Sequence, residues 1–407
     1  MNRENLLFLE AFKAALEDQI VPWGAEVTPQ TLVGVMNLAE RHKVLPMIYQ
    51  SVRGCEAAAL ADPQWMARYR SATMHAVMLQ TRKAAELMPV LETLQNAGVK
   101  PLVVKGIVCR RLYPHPDQRF STDEDIWVPE AQFADCHRAL ESCGLATKDP
   151  ESEDYELPYF SREGSLYLEI HKSLFPPENE AFGSLNRFFY DAPDRAIVID
   201  GVPTMGYTDH MLYLICHAYK HFIHSGFGLR QVADMMLFVE KWGERIDWEY
   251  VLDCTKQIRA ERFAATLFRI GEEYLGFSPE KAHYPADWQA LAGEPEKMLE
   301  DLLGAGIYGS ADMSRQHSST ITLNAVADSH RGKRGGSILK TVFPPAKALE
   351  GNYPYLKKSA ALLPIAWAQR LIKYGRESGT ADNRATESVR VGRERVALLR
   401  QYGILDE

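Results

Sequence analysis

The chain has 407 residues, 46% of them hydrophobic and 25% charged, which is enough apolar material for the cores of two or three domains. Its net charge of −8 argues against long nucleic acid as a partner, and no apolar run in the C-terminal third is long enough for a membrane span. No secretory signal is visible and six scattered cysteines form no CxxC pair, so we expect a cytoplasmic protein with free thiols.

The first predicted region, residues 1–98, is helical. Apolar residues recur at helical spacing in its first seventeen positions. Thr28 and Pro29 are typical of an N-cap followed by the first helical residue, and they predict a helix to about residue 40. A long helix is predicted over residues 64–95, with Gly98 following its C-terminal end.

The second predicted region, residues 99–207, is a small α/β core. We expect strands at residues 101–104, 125–128, 155–161 and 165–171, helices at 107–113 and 129–142, and a hairpin at 196–207. The turn signals Gly164, Asp200 and Gly201 separate neighbouring strands. The order of these elements predicts a mixed β-sheet.

The third predicted region, residues 208–407, returns to helices. Thr208 is predicted to cap the first of them, and helices are expected over 209–224, 229–242, 247–256 and 259–275, with shorter ones to about 305. Residues 306–336 are predicted to be irregular, and two helices are expected near 355–374 and 386–401. The fold class is therefore predicted as α+β, with helical regions on both sides of a small sheet.

Two carboxylates and a glycine turn predict a metal-dependent site for nucleotidyl transfer. Asp123 and Asp125 open a strand and point to the same face, while Glu124 points to the other. Two such carboxylates repel each other unless a cation lies between them, and their hard oxygens suit Mg²⁺. Gly106 precedes a helix, where backbone N–H groups can receive a triphosphate.

A third carboxylate is expected on an adjacent strand, because two-metal sites of this kind typically use three. Glu169 meets this requirement if its strand lies beside that of Asp123 and Asp125. It would ligate the metal or help to remove the proton from the attacking hydroxyl.

The order of motifs resembles the "uncharacterised nucleotidyltransferase" family of the DNA polymerase β-like superfamily. Similar features are the Lys-Gly turn, Leu112-Tyr113-Pro114, Arg119 before Asp-x-Asp, and the Glu-x-His of Glu169 and His171. The helical segment with His217, His221, Leu229-Arg230 and Asp234, and the C-terminal Phe343-Pro344-Pro345, Asn352-Tyr353-Pro354 and residues 362–370, are also similar. The resemblance covers about residues 30 to 375.

The resemblance implies an enzyme that moves a nucleoside monophosphate from an NTP, with ATP favoured, to an acceptor hydroxyl on a small molecule or protein. It implies Asp123, Asp125 and Glu169 as ligands of Mg²⁺ (or Mn²⁺) and Lys105-Gly106 at the triphosphate. Arg119 and His171 are further nucleotide-binding candidates, and His217, His221, Arg230 and Asp234 are candidates for the acceptor cleft. Two positions depart from the family: Lys105 replaces a small turn residue, and Glu124 replaces an apolar one, which implies a partner or an edge strand.

Other interpretations stay open at this point. An Asp-x-Asp glycosyltransferase would bind a nucleotide sugar, but it would not explain the glycine turn or Glu169. A non-catalytic nucleotidyltransferase-like module would not need three carboxylates. The histidines of residues 210–224 have helical spacing but lack the further ligands of a Zn²⁺ site, so a packed or substrate-facing helix is favoured.

Overall fold

The computed structural model describes residues 1–150, 152–162, 164–306, 313–331, 346–349, 353–377 and 384–406. The N-terminal region consists of helices α1 to α5: Arg3–Leu16, Pro29–Arg41, Leu45–Val52, Glu56–Ala59 and Pro63–Asn96. The predicted cap is confirmed, because the Thr31 N–H donates to the Thr28 hydroxyl at 3.2 Å. Gly98 follows α5 with a φ of +79°, as the C-terminal glycine signal predicts.

A five-stranded sheet follows, and it confirms the predicted mixed topology. Its strands, β1 to β5, are Leu102–Val104, Glu124–Trp127, Leu145–Ala146, Glu156–Ser161 and Tyr167–His171. The spatial order is β1-β2-β5-β4-β3, in which only β2 and β5 run parallel. Helices α6 (Gly106–Arg110) and α7 (Phe133–Ser142) connect strands, and a separate hairpin pairs β6 (Ile197–Ile199) with β7 (Val202–Thr204).

The C-terminal region is helical, as predicted. Helices α8 to α14 are Tyr207–His224, Arg230–Trp242, Trp248–Gln257, Glu261–Leu275, Pro279–Ala282, Ala286–Leu291 and Pro295–Ala305. Helices α15 to α18 are Met313–His330, Ala346–Leu349, Leu363–Glu377 and Arg384–Gln401. The α+β class is therefore confirmed.

Three local predictions in this region are wrong. Thr208 is not the cap of α8, which begins at Tyr207 after Gly206; the Thr208 hydroxyl instead accepts the N–H of Asp247. Much of the segment 306–336 is the helix Met313–His330, and residues 332–336 lie outside the described residues. The helix predicted from about 355 begins only at Leu363, because residues 354–357 and 360–362 form 3₁₀ turns.

One large core joins the helical regions to the sheet. It includes Phe8 and Phe12 of α1, Ile126 of β2, Ile170 of β5 and residues throughout α8, α9 and α11. Burial of apolar side chains from distant parts of the chain is the main term that holds such an arrangement together. Across the described ranges, no helix has the length and apolarity needed to cross a membrane. The three-region division of the chain stays a prediction.

Candidate active site

Strand pairing places two carboxylates and an imidazole on one face of the sheet. Asp125 of β2 lies directly opposite Glu169 of β5, and His171 follows two residues later on the same face. One ligand atom from each of these three residues lies within 4.8 Å of the other two. The two carboxylates and one ring nitrogen are a donor set that fits a divalent cation.

The charges on these groups depend on one another. Burial alone would raise the pKa of Asp125, but Lys105 and His171 outweigh it and hold that pKa well below its usual range. The Lys105 ammonium lies 3.2 Å from Asp125 Oδ2, and His171 Nε2 lies 3.2 Å from Asp125 Oδ1. Burial, followed by the repulsion of Asp125 and Asp123, raises the pKa of Glu169 to about 8. The cluster thus holds more negative charge than its own residues neutralise.

Asp123 and Glu156 add to this negative charge. The pKa of Asp123 is raised by burial and then by Asp125, which shows that the two aspartates are close. Glu156 lies opposite His171 in the β4–β5 pair, and its Oε2 is 3.7 Å from His171 Nδ1. The group with metal-ligand spacing contains Asp125, Glu169 and His171, whereas Asp123, predicted as a further carboxylate ligand, lies outside it. The roles of all four residues stay predictions.

The turn before α6 is held in an uncommon conformation by partners on α8. Lys105 has a φ of +69°, which is costly for a residue with a Cβ. Its N–H donates to His210 Nε2 at 3.1 Å, so His210 carries its proton on Nδ1, 3.0 Å from the Thr204 hydroxyl. The Lys105 ammonium also contacts His217 Nε2 at 3.0 Å. These contacts direct the lysine side chain towards Asp125.

Glu124 explains why glycine follows Lys105. The Ile107 N–H donates to Glu124 Oε2 at 2.7 Å, and a Cβ on Gly106 would lie only 2.1 Å from the same oxygen. Glu124 is fully buried and its other oxygen is bound by Arg110. Of the two sequence interpretations of Glu124, a charged partner is correct; β2 lies between β1 and β5, so it is not an edge strand.

Helix α8 carries a row of histidines, of which His210 and His217 are buried, rather than a separate metal site. The rings of His217 and His221 meet edge to face with centroids 4.5 Å apart. Burial, and then the Lys105 charge, hold the pKa of His217 well below its usual range. Among the residues that the structure describes, Asp125, Glu169 and His171 are the group with metal-ligand spacing.

Arg119 and Asp234 form a buried ion pair. Arg119 Nε and Nη2 donate to the two carboxylate oxygens of Asp234 at 2.7 and 2.6 Å, and the Tyr113 hydroxyl adds a third bond to Asp234. Arg230 donates to the Phe120 carbonyl. These contacts connect the segment before β2 to α9. Arg119, predicted to bind the nucleotide, and Asp234, predicted to line the acceptor cleft, are therefore bonded to each other. Contacts of Arg119, Arg230 or Asp234 with a substrate stay predictions.

A second lysine, Lys220 of α8, was not predicted from the sequence, although the carboxylates act on its charge. Burial lowers the pKa of Lys220, while the charges of Glu156, Asp125 and Glu169 act in the opposite direction. Lys220 follows His217 by three residues, so it shares a helical face with it. That spacing was the available signal, but only the fold shows that this face meets the sheet.

An aromatic pair lies on the same face of the sheet as the carboxylates. Phe160 and Tyr167 lie opposite each other in the β4–β5 pair, and their rings stack with centroids 4.7 Å apart. The Tyr167 hydroxyl donates to Glu169 Oε1 at 2.9 Å, whereas Phe160 remains 42% exposed. Ala146 lies opposite Phe160 on its other side in β3. Its small side chain leaves an apolar surface next to the acidic cluster.

The comparison with known families agrees with this arrangement. The model of a family described as "Uncharacterised nucleotidyltransferase" matches residues 32–276, which is more than half of the chain and includes the whole acidic cluster. The chain belongs to this family, as its motifs predicted, and it is a nucleotidyltransferase, an enzyme that transfers a phosphorus-containing group. No curated protein and no solved structure matches the chain significantly.

Proposed function

We propose that the enzyme transfers a nucleoside monophosphate from an NTP to an acceptor hydroxyl and releases pyrophosphate. The observation that carries this proposal is the cluster of Asp125, Glu169 and His171, whose ligand atoms lie within 4.8 Å of one another beside Lys105. Such a cluster suits a divalent cation, Mg²⁺ or Mn²⁺, and its excess of negative charge gives that cation a reason to bind. ATP is the favoured NTP.

The residues divide into cation ligands and anion contacts. Asp125, Glu169 and His171 would hold the cation, with Asp123 next to them. When bound, a divalent cation neutralises phosphate oxygens and lowers the barrier to attack at phosphorus. Lys105 and Lys220 would bind phosphate oxygens as point charges, which is a common use of lysine at triphosphates.

The reaction balances without a further reagent. The acceptor oxygen forms a bond to the α-phosphorus, and the bond from that phosphorus to the bridging oxygen of the β-phosphate breaks. The proton of the acceptor hydroxyl passes to a carboxylate of the acidic cluster. Pyrophosphate takes the electrons of the broken bond and leaves.

Labelled nucleotides test this proposal. The protein would be incubated with each of the four NTPs, labelled with ³²P at either the α or the γ position, together with Mg²⁺ or Mn²⁺ and a cell extract as the source of acceptor. We expect label from the α position in a product and label from the γ position in pyrophosphate. Asp125→Asn should reduce transfer by about 10²- to 10³-fold, comparable to the loss of one strong electrostatic contact. Asp253→Asn, an exposed change on α10, should not.

Each other outcome points to a different activity. Transfer of the γ label to the product would show a phosphotransferase. Turnover of a nucleotide sugar without transfer from any NTP would show a glycosyltransferase. Nucleotide binding without any turnover would show a binding module. Any of these three results would contradict the proposed reaction.

A further inference from the structure

A cavity lies away from the acidic cluster, between α11 and the segment that contains α12 and α13. Its volume is about 310 Å³, and one side is formed by residues 265–273 of α11. Tyr284, Trp288 and Gln289 form the other side. Volumes of about 300 Å³ and above are typical of sites for small molecules. None of the lining residues belongs to the proposed catalytic cluster.

Three of the eight residues that line this cavity, Phe268, Tyr284 and Trp288, are aromatic. The ring centroid of Phe268 lies 5.1 Å from that of Tyr284 and 5.5 Å from that of Trp288, and Trp248 packs behind Trp288 at 5.6 Å. Faces of such rings carry partial negative charge and attract organic cations, with tryptophan the strongest of the three types. The cavity therefore favours a ligand with both apolar surface and positive charge.

Three of the lining residues carry buried polar atoms that have no hydrogen-bond partner. These atoms are the indole N–H of Trp288, the hydroxyl of Tyr284 and Oε1 of Glu272. Trp288 is 1% exposed and Tyr284 is 8% exposed, so bulk water does not satisfy them. A buried polar group without a partner costs about 1–3 kcal/mol, and three around one cavity call for an explanation. A ligand with a cationic donor and an oxygen acceptor would satisfy all three.

The charge of the lining also calls for a cation. Arg269 is bound to Glu273, with Nε and Oε1 2.6 Å apart, so these two charges cancel. Glu272 then leaves the lining with one net negative charge. Burial raises the pKa of Glu272 and outweighs the opposite effects of a hydrogen bond with Gln289 and of the Arg269 charge.

We propose that this cavity is a binding site for a small organic ammonium ion that also carries a hydroxyl or carbonyl oxygen. The ammonium would pair with Glu272 against the aromatic walls. The oxygen would accept the N–H of Trp288 and bond to the hydroxyl of Tyr284. Such a site is separate from the transfer reaction and does not depend on it.

Matched pairs of compounds test this site on the full-length protein. The probes are tyramine, ethanolamine and glucosamine, each compared with a neutral counterpart: 4-ethylphenol, ethylene glycol and N-acetylglucosamine. Binding would be measured by isothermal titration calorimetry and by the melting temperature. We expect at least one ammonium compound to bind and raise the melting temperature, and its neutral counterpart to bind at least tenfold more weakly.

Two variants locate the binding. Glu272→Gln should weaken the ammonium compound by about 10- to 100-fold, the range expected for a hydrogen bond to a charged group. Glu92→Gln changes an exposed carboxylate of α5 outside the lining and should leave binding unchanged. Trp288→Phe keeps an aromatic wall but removes the N–H, so it should weaken compounds that carry an oxygen. The proposal is wrong if none of the ammonium compounds binds, if the neutral ones bind equally, or if Glu272→Gln binds as the wild type does.

Discussion

At the scale of single residues, the main feature is an acidic cluster whose charge exceeds what its neighbours compensate. Lys105 and His171 stabilise the ionised form of Asp125, but Glu169 keeps a pKa near 8 because it is buried beside two aspartates. A group whose pKa is raised in the folded protein binds its proton more tightly there than in the unfolded chain. The folded protein therefore loses stability as pH rises from the ordinary glutamate range through about 8.

The loss of stability on ionisation of Glu169 predicts the effect of Glu169→Gln. In metal-free buffer at pH 8 the variant should melt about 2–4 °C higher than the wild type, an effect of roughly 1 kcal/mol or more, because glutamine removes the costly charge. At pH 4, where Glu169 is protonated, the two proteins should melt together. Differential scanning calorimetry at both pH values measures this, and equal melting at pH 8 would contradict the assignment.

The same titration links pH to metal binding. Mn²⁺ must displace the proton of Glu169, so the affinity of the wild type for Mn²⁺ should rise by up to tenfold per pH unit below about 8. Glu169→Gln should reduce this dependence. Calorimetry at pH 6, 7 and 8 gives both affinities.

Lys220 leads to a third prediction at this scale. The charges of Glu156, Asp125 and Glu169 act on its ammonium, which makes it a candidate contact for the phosphates of a substrate. Lys220→Met should reduce kcat/KM for the NTP by about 10- to 100-fold, as expected for the loss of one charge-assisted contact. Lys256→Met, an exposed change on α10, is the matched control. Unchanged kinetics of Lys220→Met would separate this lysine from nucleotide binding.

At the scale of elements, the turn between β1 and α6 connects the sheet to α8. Glu124 accepts the N–H of Ile107, the second residue of α6, and His210 accepts the N–H of Lys105. Lys105 is thus positioned by Glu124, whose side chain lies on the face of the sheet opposite Asp125, and by α8, which follows more than a hundred residues later in the chain. Backbone conformation and side-chain position at Lys105 are fixed together.

Gly106 and Gly98 both have a positive φ, so alanine substitutions at these two positions separate steric overlap from backbone strain. Gly106→Ala places a Cβ 2.1 Å from Glu124 Oε2, whereas Gly98→Ala, with a φ of +79°, meets no atom within 4 Å. Gly98→Ala should therefore cost only backbone strain, about 1–2 kcal/mol. Gly106→Ala should cost more and should also reduce nucleotidyl transfer, because it displaces Glu124. Urea unfolding and the transfer assay measure both; equal costs would show that Glu124 moves freely.

The sequence predicted the parts of the site that are local in the chain. Short apolar runs next to Gly106, Asp125 and Glu169 identified the strands, and the acidic spacing identified the face. Contacts between residues that are far apart in the chain could not be predicted from local patterns. Arg119 was predicted as a nucleotide-binding residue, and the structure shows in addition that its guanidinium donates to Asp234 of α9. Lys220 was missed for the same reason.

The helix Met313–His330 was missed for a different physical reason. Prediction of a helix relies on an apolar stripe at helical spacing. Here Ser318 and Thr322 are fully buried, so small polar residues occupy part of the inward face. The Thr322 hydroxyl donates to the carbonyl of Ser319, so Thr322 can be buried without leaving its hydroxyl unpaired. The inward face of this helix therefore shows no continuous apolar stripe in the sequence.

At the scale of the whole molecule, the C-terminal helix α18 supports the helix that faces the active site. Arg395 donates to the carbonyls of Phe222 and His224 at the end of α8, and it is only 4% exposed. Carbonyls in the last turn of a helix lack partners within the helix, so a buried arginine there satisfies them. Residues near the C-terminus thus act on Lys220 through the position of α8.

This connection predicts the effect of Arg395→Ala. The variant should lose about 1.5–3 kcal/mol of stability, the range for hydrogen bonds to charged groups, and its transfer activity should fall less than that of Lys220→Met. Arg393→Ala, which changes an exposed residue of the same helix, should do neither. Urea unfolding and the transfer assay measure both variants, and a stable Arg395→Ala would show that α18 is only loosely attached.

The parallel pairing of β2 with β5 has a consequence for biosynthesis. A nascent chain that has left the ribosome only as far as β2 exposes Asp123 and Asp125 without the strand that lies beside them. Lys105 obtains its histidine partners later still, when α8 emerges. The proposed metal site therefore cannot mature co-translationally before α8 has been made, and an arrested chain that ends before α8 should not retain Mn²⁺.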